Sequence, residues 1–155
     1  MRTQVAQRGD FAAWWALARE VEELFGEPLA GSESFEGALA RCIERGSAYC
    51  VRGDDGPPGE PLLGGLLFSA KPPRYRIGWL VVAERSRRQG VGRLFLQGLF
   101  SLVLPPAEMT VVTFAEGVAG GEPARRFYES LGFVAAEPSP SGPDGVPRQL
   151  YRRVW

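Results

Sequence analysis

The residues best suited to chemistry lie between Trp79 and Leu96, WLVVAERSRRQGVGRLFL. A strand-like apolar run leads through Arg85, Arg87 and Arg88 into Gln89-Gly90-Val91-Gly92-Arg93, where an apolar helical pattern begins. Glycine lacks a Cβ, so the chain at 90 and 92 is free to take unusual dihedrals and to let a ligand approach the backbone. The unbonded N–H groups of a helix's first turn, reinforced by its dipole, attract anions. With four arginines around one point, the pattern reads as a phosphate or pyrophosphate site; the plainer alternative is a tight strand-to-helix connection beside solvated charge. It is not the dinucleotide fingerprint GxGxxG, because position 95 is Phe95, and no GK[ST] of a Walker A loop occurs.

What the chain lacks narrows the chemistry further. It contains no histidine, which removes Ser-His-Asp and Cys-His catalysis and makes the common catalytic metal sites unexpected. Acid–base work must fall to Glu, Asp, Tyr, Cys, Lys or water, and no metal is expected. Lys+Arg and Asp+Glu both total 18, so no global charge drives binding to nucleic acid or an anionic membrane. Cys42 and Cys50 are too few for a disulfide framework and read as small buried hydrophobes, with a bridge between them left open. The first ten residues have no apolar core, and the run Leu94–Leu104 is about half the ~20 residues of a membrane span. A soluble, cytoplasmic protein is expected.

These residues need a scaffold, and the patterning supplies one. Thr3–Gln7 alternates as a weak first strand; Asp10 is placed to cap a helix reaching Phe25, stopped by Gly26 and Pro28. Ser32 or Ser34 starts a second helix ending at Gly46. Ala48–Arg52, Leu62–Ser69 and Arg76–Val82 read as strands, Gln89–Val103 as a mostly buried helix whose polar stripe is Arg93, Gln97 and Ser101. Met109–Phe114 is a strand, Glu122–Leu131 a helix with Pro123 in its first turn, and Phe133–Ala136 and Arg148–Val154 the last two strands. The order β-α-α-β-β-β-α-β-α-β-β predicts one α/β (α+β) domain over residues 1–155 with a mixed sheet flanked by helices.

Arg87-Arg88-Gln89-Gly90-Val91-Gly92 resembles the Arg/Gln-x-x-Gly-x-Gly/Ala signature of the GNAT acetyltransferases, and PARRFYESLGF at 123–133 resembles that family's A-x-x-x-Tyr-x-x-x-Gly-Phe segment. The two stand in the family's order with one strand between them. The resemblance implies a central sheet splayed around acetyl-CoA, used as co-substrate. It places the pantetheine along Leu80, Val81 and Val82, with the pyrophosphate on the turn formed by Arg87, Arg88, Gln89, Gly90, Val91, Gly92 and Arg93. It implies direct acetyl transfer to an amine, from a small molecule or a peptide, by a monomer or homodimer. A non-catalytic acyl-CoA-binding sensor or partner module of the same fold is the alternative.

Such a transfer needs a base for the attacking ammonium and an acid for the leaving thiolate. Tyr128 lies on the inward face of its helix with Ala124, Phe127 and Leu131, and the resemblance assigns it the acid; packing like Phe127 is the other reading. The strand Tyr75–Val82 carries no carboxylate, so Glu116, just past Met109–Phe114, is the candidate base, or else a solvated loop charge. Gly121 stands where the family often has asparagine. The resemblance puts acceptor recognition on the first two helices, with Trp14, Trp15, Glu20, Glu22, Glu23 and Phe25; Phe68, Arg74 and Trp79 are open to either cleft or core.

Overall fold

The structure, a computed structural model, describes residues 1–25 and 33–155, the side chains of 23–25 excepted. The helix stop expected at Gly26 and Pro28, Ser32 as a helix start, and the side chains of Glu23 and Phe25 lie outside the described residues. The elements are β1 (Gln4–Val5), α1 (Phe11–Phe25), α2 (Glu33–Arg45), β2 (Ala48–Arg52), β3 (Leu62–Lys71), β4 (Arg74–Val82), α3 (Val91–Phe100), β5 (Glu108–Phe114), α4 (Glu122–Ser130), β6 (Val134–Ser139) and β7 (Arg148–Val154). Their order is the expected one. The strands form a seven-stranded sheet, β1-β2-β3-β4-β5-β7-β6, in which only β4 and β5 are parallel neighbours. The α3 crossover joins that parallel pair, as such a connection requires.

Two cores form, one on each face. Trp14, Leu17, Ala18 and Val21 recur at helical spacing on α1 and, with Phe35 and Leu39 of α2, cover Leu67, Trp79 and Val81. On the other face Val91, Phe95, Leu96 and Leu99 of α3 and Tyr128 of α4 cover Leu66, Tyr75, Ile77, Met109, Val111 and Tyr151. Each large apolar side chain so buried contributes about 1.5–3 kcal/mol. The stripe Arg93, Gln97 and Ser101 is exposed, as its spacing predicts. The two cysteines are free thiols, and no described helix is long and apolar enough to cross a membrane.

Several boundaries differ from the patterning for local reasons. The third helix starts at Val91 rather than Gln89 because Arg88 and Gly90 are left-handed, with φ of 63° and 83°. It ends at Phe100, where the Ser101 hydroxyl donates to the Gly98 carbonyl at 2.6 Å. The β3–β4 hairpin turns on Pro72-Pro73 alone, so both strands run two residues further than expected. Strand β6 continues through Pro138, which an edge strand tolerates beside the irregularity at Ala135/Pro138. Asp10 immediately precedes α1, but its carboxylate turns back to accept from the Gln7 N–H at 2.8 Å and from the Arg52 guanidinium at 2.7 and 2.9 Å. It acts as the centre of a buried polar knot instead of a cap for α1.

Candidate active site at the parting of two strands

The site begins with a fault in the sheet. Opposite β3, Leu67 faces Trp79 and Phe68 faces Ile77, so Gly78 is an extra residue on β4. Such a bulge bends its strand and interrupts pairing. Strands β4 and β5 pair over four rows only, from Arg74–Glu108 to Ile77–Val111. Beyond that row β4 runs on to Val82 and β5 to Phe114, and the two part into a cleft.

Backbone groups line one wall of this cleft. The Ala83 N–H donates to the Leu63 carbonyl at 2.8 Å, and bonding residues alternate along an antiparallel ladder. Val81 therefore also faces β3, while Leu80 and Val82 turn their N–H and C=O groups to the open edge. The side chain of Val81 is buried against α1. Of the three strand residues expected at the cofactor, Leu80 and Val82 line the cleft and Val81 faces away from it.

At the top of β4 the chain enters the turn. Arg88 and Gly90 are both left-handed, and the first turn of α3 leaves the N–H groups of Val91, Gly92 and Arg93 without carbonyl partners in the helix. Free donors at a helix N-terminus suit an anion. The two glycines differ in purpose. Gly90 supplies a positive φ with open space around it; Gly92 is ordinary helix, and a Cβ there would lie 3.0 Å from two atoms of the Phe127 ring. Arg87, Arg88 and Gln89 are exposed, Gln89 donating to the Arg85 carbonyl at 3.2 Å. Arg93 reaches Ser130 at 2.9 Å, a second tie between α3 and α4. Arg87 and Arg88 have no ion pair among the described residues.

The connection before this turn is held from the far side of the sheet. Glu20 of α1 accepts from the Glu84 N–H at 2.8 Å and sits 3.7 Å from the Arg85 guanidinium. The residue expected at the acceptor thus braces the loop that precedes the expected cofactor turn, a role that no local signal betrays because 64 residues separate Glu20 from Glu84.

Tyr128 is buried in the same core as Ile77 and Val111, the last paired row of the parting strands. Its ring meets Phe127 and Phe133 edge-on at 5.1 and 5.6 Å. Burial pushes its phenol well above the ordinary value, and its hydroxyl has no hydrogen bond among the described residues. Glu116 is exposed in the loop after β5, and no contact joins it to Tyr128 among the described residues. Its charge is felt instead by Arg125, whose guanidinium is held above its usual range first by the Tyr151 phenol at 2.9 Å. Gly121 packs so closely on Phe114 that a Cβ would come within 2.6 Å of it. Trp14, Phe68 and Trp79 are core, Trp79 lying against Trp14 and Phe35, whereas Trp15 and Arg74 are exposed.

The sequence matches the model of the Acetyltransferase (GNAT) family over residues 13–133, and the chain belongs to that family. Its fold is that of a GNAT-family acetyltransferase from Bacillus cereus, at TM-score 0.73 and 16% identity over 99% of this chain and 96% of that one. The NatC complex bound to Gag peptide and CoA is similar at TM-score 0.73 and 17% identity, over 100% and 99% of the two chains. PaiA N-acetyltransferase from Thermoplasma acidophilum, solved with coenzyme A, follows at 0.70 and 14%, over 99% and 98%. A search of curated protein sequences returns no match.

Proposed function

We propose that the chain transfers an acetyl group from acetyl-CoA directly to an amine of a small molecule or peptide. One observation carries the reading: the open backbone edge of Leu80 and Val82 leads straight into the donor-rich turn from Arg87 to Arg93. The edge offers a pantetheine arm the hydrogen bonds of an added strand, and the turn offers a pyrophosphate free N–H groups beside Arg87 and Arg88, which have no ion pair among the described residues. Acetyl-CoA when bound supplies an activated thioester. The amine forms the new C–N bond as the C–S bond breaks; Tyr128 gives its proton to the departing sulfur, and Glu116, directly or through water, takes one from the amine. Neither carbon nor sulfur needs a metal for this exchange. The protein is expected to act in the cytoplasm as a monomer or homodimer of one domain, residues 1–155.

CoA should raise the melting temperature, because a ligand of the folded state alone stabilises it by about 2.7 kcal/mol at a hundred times its Kd. The absence of any shift at millimolar CoA would overturn the assignment. An acyl-CoA-binding module without turnover has one observation in its favour, the exposed position of Glu116, which no contact joins to Tyr128 among the described residues. Thiol release from acetyl-CoA in the presence of an amine panel separates the two.

A further inference from the structure

The sheet face opposite α3 and α4 carries a second feature beside the cleft. A concavity of about 360 Å³ is lined by Ser69, Lys71, Arg74, Tyr75, Arg76, Glu108 and Thr110. Arg76 and Thr110 form the row just before Ile77–Val111, where β4 and β5 part. One row is about 3.3 Å, so the concavity adjoins the closed end of the cleft. It lies on the face away from α3, because Tyr75 and Ile77 point into the α3 core and their neighbours Arg74 and Arg76 point the other way.

Its charge is one-sided. Three cations stand against one carboxylate, and Glu108 is already shared between Arg74 at 3.6 Å and Arg152 at 3.3 Å. Lys71 and Arg76 are exposed and have no ion pair among the described residues. A cationic tail beyond the amine would meet like charge here, whereas an anionic group would find unpaired partners within reach of the cleft's end.

We infer that the acceptor is an amine bearing an anionic group, carboxylate or phosphate, which rests on Lys71, Arg74 and Arg76 while the amine enters the closed end of the cleft. This rests on the acetyl-transfer reading above and adds the acceptor's class to it. Exposed charge contacts are individually weak, so the expected selectivity is about three- to tenfold, fading as salt rises.

The test compares acceptors matched except in charge, with the full-length protein. In one arm, tetrapeptides with N-terminal Ala carry Glu, Gln or Lys at the second position; in the other, phosphoethanolamine is set against ethanolamine. An anionic member with the highest kcat/KM in either arm is the expected result, with the preference abolished in Arg76→Gln and turned toward the Lys peptide in Arg76→Glu. Equal rates across both arms, a preference for cationic members, or a preference unchanged in Arg76→Gln overturns the inference. Turnover of neutral amines alone does so too, while leaving acetyl transfer standing. Failure to bind CoA in a thermal shift would instead remove the reading on which it rests.

Discussion

Replacing Tyr128 by Phe separates packing from chemistry at a single oxygen atom. The ring lies between Phe127 and Phe133 at 5.1 and 5.6 Å, and the substitution keeps both contacts. The hydroxyl has no bond among the described residues, so nothing is left unpaired when it goes. Stability should change by no more than about 0.5 kcal/mol, or roughly 2 °C in a domain of this size. The rate should respond quite differently. Losing the proton given to the thiolate is expected to lower kcat by about tenfold to a thousandfold, which is about 1.4–4.1 kcal/mol of barrier, with KM for acetyl-CoA nearly constant. Because burial raises the phenol above its ordinary value of 10.0, the group stays protonated through the working range and adds no falling limb to the pH profile there. By the same linkage its contribution to stability is complete below about pH 10 and declines above it, and Tyr128→Phe should resist alkaline unfolding better than the parent. The assay is single-turnover acetylation of an identified acceptor, beside a thermal melt. Parent rates in Tyr128→Phe with chemistry limiting would refute the acid role, and a large loss of stability would refute the packing argument.

Other parts of the site give separable outcomes. Gly90→Ala strains a left-handed residue by about 1–2 kcal/mol, whereas Gly92→Ala meets Phe127, so CoA affinity lost in Gly92→Ala, and not that lost in Gly90→Ala, should return when Phe127→Leu is added; calorimetric titration with CoA would decide it. Glu20→Ala should raise KM for acetyl-CoA about two- to tenfold at nearly constant kcat, and Glu20→Gln, which still accepts from the Glu84 N–H, should recover most of it; a change confined to the acceptor's KM would contradict the brace. Asp10→Asn should cost about 3–5 kcal/mol in urea unfolding, since it leaves Arg52 buried without its counter-charge. Burial works to raise the Asp10 pKa, but the bonds from Arg52, Gln7 and Gly59 outweigh it and hold it below 3.8. Its stabilisation is therefore present above that value and lost as pH falls through the folded pKa, so the gap between parent and Asp10→Asn should narrow only below about pH 4.

Legibility in the sequence followed the kind of atom each feature uses. The turn proposed to bind an anion would do so through backbone N–H groups, and it demands residue types that show in one dimension: arginines, a glycine for the positive φ at 90, and an apolar helix behind it. The bulge at Gly78 shows nothing of the sort. Tyr75, Ile77, Trp79 and Val81 alternate without a break, which predicts one buried face, yet the extra residue sends Tyr75 and Ile77 into the α3 core and Trp79 and Val81 into the α1 core. Gly92 was legible as a glycine but not in its reason, because Phe127 approaches from another helix. Asp10 and Arg52, 42 residues apart, and Glu20 and Glu84, 64 apart, are joined only by the fold.

That slip in alternation explains why the cleft exists at all. A β4 in unbroken alternation would keep Tyr75, Ile77, Trp79 and Val81 on one side and leave only Leu80 and Val82 as apolar residues for the other. With the extra residue, each helical layer buries two of the four, so the bend that parts β4 from β5 is stabilised from both faces at once. The same bend leaves the outward backbone groups of Leu80 and Val82, on an inner strand, without partners among the described residues; an unpaired group costs about 1–3 kcal/mol if it also loses water. A sheet tolerates this only where solvent or a ligand supplies the missing bonds. The two cores therefore hold open an edge that hydrogen-bonding alone would close, and α1, through Glu20, fixes the donor-rich turn at the end of that edge.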